Sequence, residues 1–462
     1  MAADENLIAP SQFQGISRPV SGHIWLLAVM LSIATVGLNH DFDVVGVRIE
    51  ETASSGAGMD EQAKFESDFT QAALRRKIGF FLLIAAGVLA LAGPRPNVTY
   101  EFNVITLVAG ATLLWVVGSL AWSDDRSETL IELIRLSGFV FTAVALARRC
   151  RINELVFIFL CISLVSIGVA LAMDIGCGTF RPWSAEYRMG GSLHPNQLAR
   201  IAAVAAMIAN VALMQHRSRL IWLTVLAACL VVVWMTRSRS GMAGCAAGLI
   251  ALQFIGISRR SLTFSGMVLL VALSLTGMFL ATAPSSLQRQ LEAALLMGRT
   301  DQAVSLTGRV PLWKEIWRDG SRRPWTGYGY GAYWITDRID DIGAELRWYP
   351  RHSHSAYMEV LLDLGIVGAT LVVLLALLSI AAYSRIAHVT GRLQYRLFGA
   401  LFVSGLANGF FEVAFISPRF EGLFVGVAVA GLFVCHREAA DSVSTVEDQR
   451  LYTDLGGRLC PT

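Results

Sequence analysis

The sequence predicts an all-α polytopic membrane protein of about twelve transmembrane helices, with one long outer loop that contains short helices. Three observations predict it. Hydrophobic residues make up 54% of the 462 and charged residues only 16%. With a mean hydropathy of +0.54, that is too apolar for a soluble domain of this length. Apolar runs long enough to span a bilayer recur along the chain. Arginine, finally, clusters in alternate connections between those runs.

In order, the runs cover roughly 22–38, 77–93, 103–122, 129–147, 153–173, 195–214, 219–235, 241–257, 262–282, 364–383, 396–416 and 418–436. One set of connections holds Arg95, then Arg148, Arg149 and Arg151, then Arg217 and Arg219, then Arg259 and Arg260, then Arg385, Arg392 and Arg396. Arg437 follows the last run. All of these fall on one side of a twelve-helix plan, and positively charged loops mark that side as cytoplasmic. The plan divides the chain into a cytoplasmic N-terminus (1–21), nine helices (22–282), a long outer loop (283–353), three helices (354–436) and a cytoplasmic tail (437–462). Smaller outer connections fall at 39–76, 174–194 and 236–241.

MAADENLIAP has no basic n-region, and no small-residue cleavage site follows the first run, so that run is expected to be a retained helix. The seven cysteines show no metal-ligand spacing, and four lie in or beside apolar runs, which argues against a disulfide framework. A net charge of +3 gives no reason to expect a nucleic-acid partner.

Arginine on the outer side runs against the topological bias. Arg188 stands in RMGGSLHPNQLA, and Arg237 and Arg239 in TRSRSG. Arg237 is read as snorkelling to the lipid surface. Arg188 and Arg239 lie in glycine-bearing turns at helix ends. There, backbone can approach a ligand closely and a planar guanidinium suits phosphate. Asn196 and Gln197 could add donors, or simply open a helix after Pro195. The long outer loop holds Trp313, Trp317, Trp325, Trp334 and Trp348 with several tyrosines, faces suited to sugar rings or to a membrane-surface belt. Trp313 and Trp317, four apart, share one face of a short helix and could be its packing face. GYGYGAYW (327–334) lacks a surrounding strand–helix unit, so it reads as a turn and not a dinucleotide loop.

Five motifs stand in order: RMGGSLHPNQLA, T-x-S-R-S-G from Thr236, TGR-x3-W from Thr307 to Trp313, P-x2-G-x-G-x-G from Pro324 to Gly331, and H-S-x-Y-x-E-x-L-x-D-x-G-x2-G from His354 to Gly368. Together they resemble the O-antigen ligase and polymerase superfamily over about 190–370. Ser240 fits the small residue that commonly follows the family's arginine. The family commonly has Asn after its key histidine, where this chain has Ser355.

The resemblance implies an inner-membrane glycosyltransferase of lipopolysaccharide or exopolysaccharide biosynthesis, working at the periplasmic face and independent of metal and cofactor. Its donor would be a glycan on undecaprenyl diphosphate. Its acceptor would be lipid A–core for a ligase, or a lipid-linked glycan for a polymerase. His354 would be the base, Arg188, Arg239 and Arg309 would bind the donor diphosphate, and direct displacement would invert the anomeric centre. Asn196, His352, Trp313 and Trp334 are further substrate-binding candidates. His352 and His354 form an H-x-H pair, but no third metal ligand is evident.

Two other readings compete. Asp41 and Asp43, just after the first run, could hold a divalent metal in a different class of membrane glycosyltransferase. Twelve helices also suit a transporter of polysaccharide or small molecules. That would call for ionisable groups near the bilayer midplane, whereas Glu132 and Arg135, three apart, look like a local pair.

Overall fold

The computed structural model describes residues 21–40, 61–92, 98–184, 187–215, 218–257, 309–346, 349–350, 352–413 and 420–436. Its helices are α1 (Gly22–Asn39), α2 (Glu61–Ala92), α3 (Val104–Gly118), α4 (Arg126–Arg149), α5 (Ile152–Gly176), α6 (Pro195–Gln215), α7 (Arg219–Met235) and α8 (Arg239–Phe254). They continue with α9 (Arg309–Gly320), α10 (Thr336–Leu346), α11 (Ala356–Thr390), α12 (Leu393–Gly409) and α13 (Phe420–Ala430). A helix occupies every expected run except the ninth, 262–282, which lies outside the described residues. Among the described residues six helices are long and apolar enough to cross a membrane: α1, α4, α5, α6, α11, and α3 with the short turn that follows it. The expected short helices of the long loop are α9 and α10.

Three details depart from expectation. The segment 39–76 was expected to be a connection throughout, yet α2 begins at Glu61. Its first turns, EQAKFESD, are polar but rich in strong helix formers, which carry the helix beyond the apolar stretch. Helix α12 ends at Gly409 rather than near 416, which leaves Phe411 and Glu412 outside it. The chain is also not purely helical. Val98–Tyr100 (β1) pairs antiparallel with Val434–His436 (β2), so that Thr99 faces Cys435.

Helix α6 is the centre of the bundle, buried over most of its length. Its alanine-rich sequence permits this, because small side chains let neighbouring helices approach closely. Gly241 of α8 abuts Ala199, and Gly248 faces Met207. Larger apolar side chains fill the outer contacts, as where Phe159 of α5 meets Phe424 edge-on at 3.9 Å.

Helix α11 carries the feature that fixes the long loop. Gly365 interrupts it with φ 66° and ψ −170°. The interruption frees backbone groups that cannot be left bare in an apolar setting. Tyr328 N donates to the Leu362 carbonyl at 2.8 Å, and Gly329 N to the Asp363 carbonyl at 2.9 Å. The Trp115 indole donates to the Leu364 carbonyl at 2.9 Å, and Ile366 N to the Pro324 carbonyl at 2.7 Å. GYGYGAYW is therefore a turn, as expected, with Gly327, Gly329 and Gly331 all at positive φ. Its purpose is to stitch the loop into the broken helix. The same turn is bonded to the α3–α4 connection through Tyr330 N to Ser119 Oγ at 3.1 Å and Asp124 N to the Tyr328 carbonyl at 3.0 Å.

Gly365→Ala is expected to lower the thermal midpoint in detergent by several degrees. Positive φ costs an L-residue about 1–2 kcal/mol, and the new Cβ would collide with the Trp325 carbonyl. Gly178→Ala, at φ 68° in open space, should cost only the backbone part. Equal losses would show that the stitched break is not under packing constraint.

Candidate functional site

The ends of α1, α3, α5, α7 and α12 and the starts of α6, α8, α11 and α13 meet at one end of the bundle. His40, capping α1, is 2.6 Å from Ser192 Oγ, and the Arg188 guanidinium reaches the cap of α7. Here the chain places its histidine loop, His352-Ser353-His354-Ser355, immediately ahead of α11. Ser353 is fully buried and is the point by which the loop is held. Its amide donates to Glu359 Oε2 at 2.9 Å, its hydroxyl to the Ser355 carbonyl at 2.7 Å, and its carbonyl accepts from the Trp313 indole at 2.8 Å. Glu359 is in turn fixed by the Trp334 indole, 2.9 Å from Oε1. Ser355 Oγ donates to the Gly409 carbonyl at 3.3 Å, tying the loop to the end of α12. The hydroxyl thus makes a contact of its own where the resembled family commonly carries an amide.

Held this way, His354 takes φ 54°, a left-handed conformation that is uncommon for a residue with a side chain. Such strain persists only where the surroundings over-determine it, and it concentrates at functional sites. Its ring lies 4.0 Å from that of His352, centre to centre and near edge-to-face.

Beside the histidines runs a polar network centred on Glu412. Glu412 Oε1 accepts from Asn196 Nδ2 at 2.6 Å and from Arg309 Nη2 at 3.1 Å. Oε2 lies 3.5 Å from Arg200 Nη1. Arg200 Nε continues to Glu421 at 2.7 Å. Asn196 Oδ1 accepts from Arg188 Nη2 at 3.2 Å. Arg188 Nε donates to the Thr236 carbonyl at 3.2 Å, and Met189 N to that of Met235 at 2.9 Å. Arg309 also donates to the Phe411 carbonyl at 2.7 Å. Arg239 begins α8 three residues beyond Thr236, half-buried, behind a Ser238 cap that accepts from Gly241 N at 3.1 Å. The glycine-bearing turns singled out in the sequence are therefore adjacent in space.

The Arg188 turn has its own anchor. Asp174, buried at the end of α5, accepts from the Tyr187 hydroxyl at 2.8 Å and from Thr179 Oγ1 at 2.9 Å. Gly191 presses against the Ala170 carbonyl at φ 55°.

Charge sets the protonation states. Burial holds the His354 imidazole down at about 4, with the Arg309 cation and His194 acting in the same direction and Glu412 opposing them. The ring is neutral at pH 7 and able to accept a proton. Burial alone would raise the Glu412 carboxyl, but Arg200, Arg309 and the nearby histidines outweigh it and hold Glu412 below the usual range. Glu412 is thus an anion among guanidinium groups.

Residues 224–373 match the family model described as O-antigen ligase. That stretch is similar to an O-antigen ligase domain. That match supports the resemblance to the O-antigen ligase superfamily that the ordered motifs suggested. No curated protein matches the chain. The matched stretch contains Arg239, Arg309, Trp313, Trp334, His352 and His354. Arg188, Asn196, Arg200, Glu412 and Glu421, which complete the network, come from segments on either side of it.

Sequence reasoning found His354, Arg188, Asn196 and Arg309, and the fold brings these together. It missed Glu412, Arg200 and Glu421. Their one signal was ionised residues of opposite sign at the same ends of three apolar runs. Trp313 and Trp334 use their indole N–H groups to brace the histidine loop. The packing face of α9 is Leu312 and Ile316, both fully buried, while Trp317 is 58% exposed, so the Trp313–Trp317 pair is not that face. Glu132 and Arg135 form the local ion pair expected of them. Asp41 and Asp43 lie outside the described residues. Among the described residues no three His, Cys, Asp or Glu side chains are grouped to hold a metal ion.

If Trp334 acts through its N–H, Trp334→Phe keeps an aromatic face but leaves Glu359 short of a donor. A stability loss of about 1–3 kcal/mol is expected, as for a buried acceptor left unsatisfied. Differential scanning fluorimetry of the two proteins in the same detergent measures it. An unchanged midpoint would leave the indole as a contact face only.

Proposed function

We propose that this protein is an inverting glycosyltransferase that takes a glycan from undecaprenyl diphosphate to an acceptor hydroxyl at the periplasmic face of the inner membrane. The observation that carries this reading is a neutral, strained imidazole at His354 beside a network of guanidinium groups. The acceptor oxygen attacks the anomeric carbon and its proton passes to His354. The bond from that carbon to the diphosphate oxygen breaks, and the leaving diphosphate keeps the electron pair. Arg188 and Arg239 meet its charge in a preorganised site. Arg309 lies between the two functions, bound to Glu412 and acting on His354. Substrate-binding roles for Asn196, His352, Trp313 and Trp334 accompany this reading.

The positions of two of the arginines used to orient the chain agree with this reading. Arg148 lies over the Tyr100 ring at 5.9 Å, beside the β1–β2 pair and at the opposite end of the bundle from His354. Arg392 lies at that end too, between α11 and α12. Arginine in the short connections at that end supports reading it as cytoplasmic and the histidine loop as outside. We take twelve spans, with the ninth at 262–282, as the complete plan. A ligase, for which lipid A–core would be the acceptor, is preferred because the matched family model is described as O-antigen ligase. A repeat-unit polymerase, with a lipid-linked acceptor, is the second reading.

His354→Ala should lower turnover by about 10²–10⁴-fold, the usual worth of a positioned base, while donor binding stays near normal. His352→Ala should cost far less. Lysine at 188 or 239 keeps the charge but loses the planar fork, so Arg188→Lys and Arg239→Lys should weaken donor binding clearly. A folded His354→Ala protein with near-normal turnover would remove the base from this scheme. Because the buried ring protonates only near pH 4, kcat/KM should hold level from pH 7.5 to about 5 and fall below that as the base gains a proton. An acid limb centred near 6.5 would point to a different, solvated base.

Turnover is also expected to survive EDTA, and Asp41→Ala and Asp43→Ala to remain active. Loss in chelator, restored by a divalent ion, would transfer the chemistry to those carboxylates.

A further inference from the structure

A carboxylate is the wrong charge for a diphosphate site, yet Glu412 is the residue on which this site converges. It is 8% exposed, and each oxygen is taken. Oε1 bonds Asn196 and Arg309, and Oε2 faces Arg200. The bond to Asn196 matters most. Its amide is a two-ended link, with Nδ2 on Glu412 and Oδ1 on Arg188 Nη2. Arg188 is anchored as well at Nε, by the Thr236 carbonyl. Two bonds at different nitrogens fix the plane of a guanidinium. Among the described residues Glu421, by contrast, bonds Arg200 and not Asn196.

We propose that Glu412 is a positioning residue for donor binding: through Asn196 it sets the plane of the Arg188 guanidinium, and directly it holds Arg309 beside His354. This rests on the reading of Arg188 as a diphosphate ligand. The carboxylate's charge then works against the anion while its geometry works for it, and the two effects have opposite signs.

The sign is the test. Binding of undecaprenyl diphosphate to purified full-length protein in nanodiscs is measured for wild type, Glu412→Gln, Glu421→Gln, Asn196→Ala and the Glu412→Gln/Asn196→Ala double variant. If Glu412 only tunes local charge, removing its negative charge tightens binding of the diphosphate, and Glu421→Gln does the same. If Glu412 positions Arg188, Glu412→Gln weakens binding about tenfold or more, the size expected when a hydrogen bond to a charged group is lost. Glu421→Gln then binds as wild type or tighter. Asn196→Ala should reproduce most of the loss, and Glu412→Gln should add little in that background, because residues acting through one link are not additive. Acceptor KM should change less than threefold in all of them.

Equal or tighter donor binding by a folded Glu412→Gln protein overturns the proposal, as does full additivity with Asn196→Ala. Should Glu412→Gln fail to fold, Asn196→Ala still decides, since wild-type donor affinity in that variant breaks the link. These outcomes are separable from failure of the underlying reading. If Arg188→Lys binds diphosphate normally, Arg188 is not a ligand. If Arg188→Lys is impaired while Glu412→Gln and Asn196→Ala are not, only the positioning role falls.

Discussion

A helix in an apolar medium must satisfy its own backbone, and α11 does not. It opens at Gly365, and the groups released there are closed by Tyr328, Gly329, Trp115 and the Pro324 carbonyl. The bonding is local, but its effect is long-range. It pins the segment 324–331 to the bundle, and with it α9, whose Leu312 and Ile316 pack on Tyr328, Tyr333 and Leu362. Helix α9 begins with Arg309 and carries Trp313. A glycine in one membrane helix therefore determines where an arginine and a bracing tryptophan stand relative to His354. Two of the sequence motifs, P-x2-G-x-G-x-G and the D-x-G of the last motif, are the two halves of this one joint.

From that joint the site is assembled in two layers of different chemistry. The histidine loop is held by neutral or singly charged hydrogen bonds to Ser353, Ser355 and Glu359, which fix conformation. The arginines are held by ion pairs to Glu412 and Glu421, which fix position and moderate charge. Arg200 and Arg309 pair with these two carboxylates, and Arg188 joins them through Asn196. Without the carboxylates, so many buried cations would repel one another and resist desolvation. With them, one positive charge remains in excess, before Arg239 is added. That is a balance from which a product anion can both be stabilised and depart.

How much of this was legible in the sequence follows from what each feature needs. Helices α1 and α3 to α8 need only an apolar stretch of sufficient length, and composition reveals that directly. The Gly365 break needs a partner segment some forty residues away, and DLGIVG by itself reads as the opening of an ordinary span. Glu412 was hidden by the boundary of its helix: a run read as 396–416 buries it in a last turn, whereas the helix stops at Gly409 and releases it. Arg200 was hidden in the opposite way, as one charge a turn inside an alanine-rich run. The tryptophans were noticed for their concentration in the long loop, but what their indole N–H groups bond to depends on the fold. Their rings were read as faces for sugar, and it is the indole N–H that the fold uses in Trp313 and Trp334.

The left-handed His354 shows why these layers must cooperate. A positive φ on a side-chain-bearing residue is unfavourable in isolation, so the loop would relax if it were free to. Ser353 prevents relaxation on one side through Glu359 and Trp313, and Ser355 on the other through Gly409. Gly409 lies three residues ahead of Glu412, so the anchor that strains the histidine and the carboxylate that gathers the arginines are carried by the same short stretch of chain. Any shift at the end of α12 would move both. In the proposed displacement, a base on the attacking hydroxyl and cations on the leaving diphosphate would thereby be kept at a fixed separation.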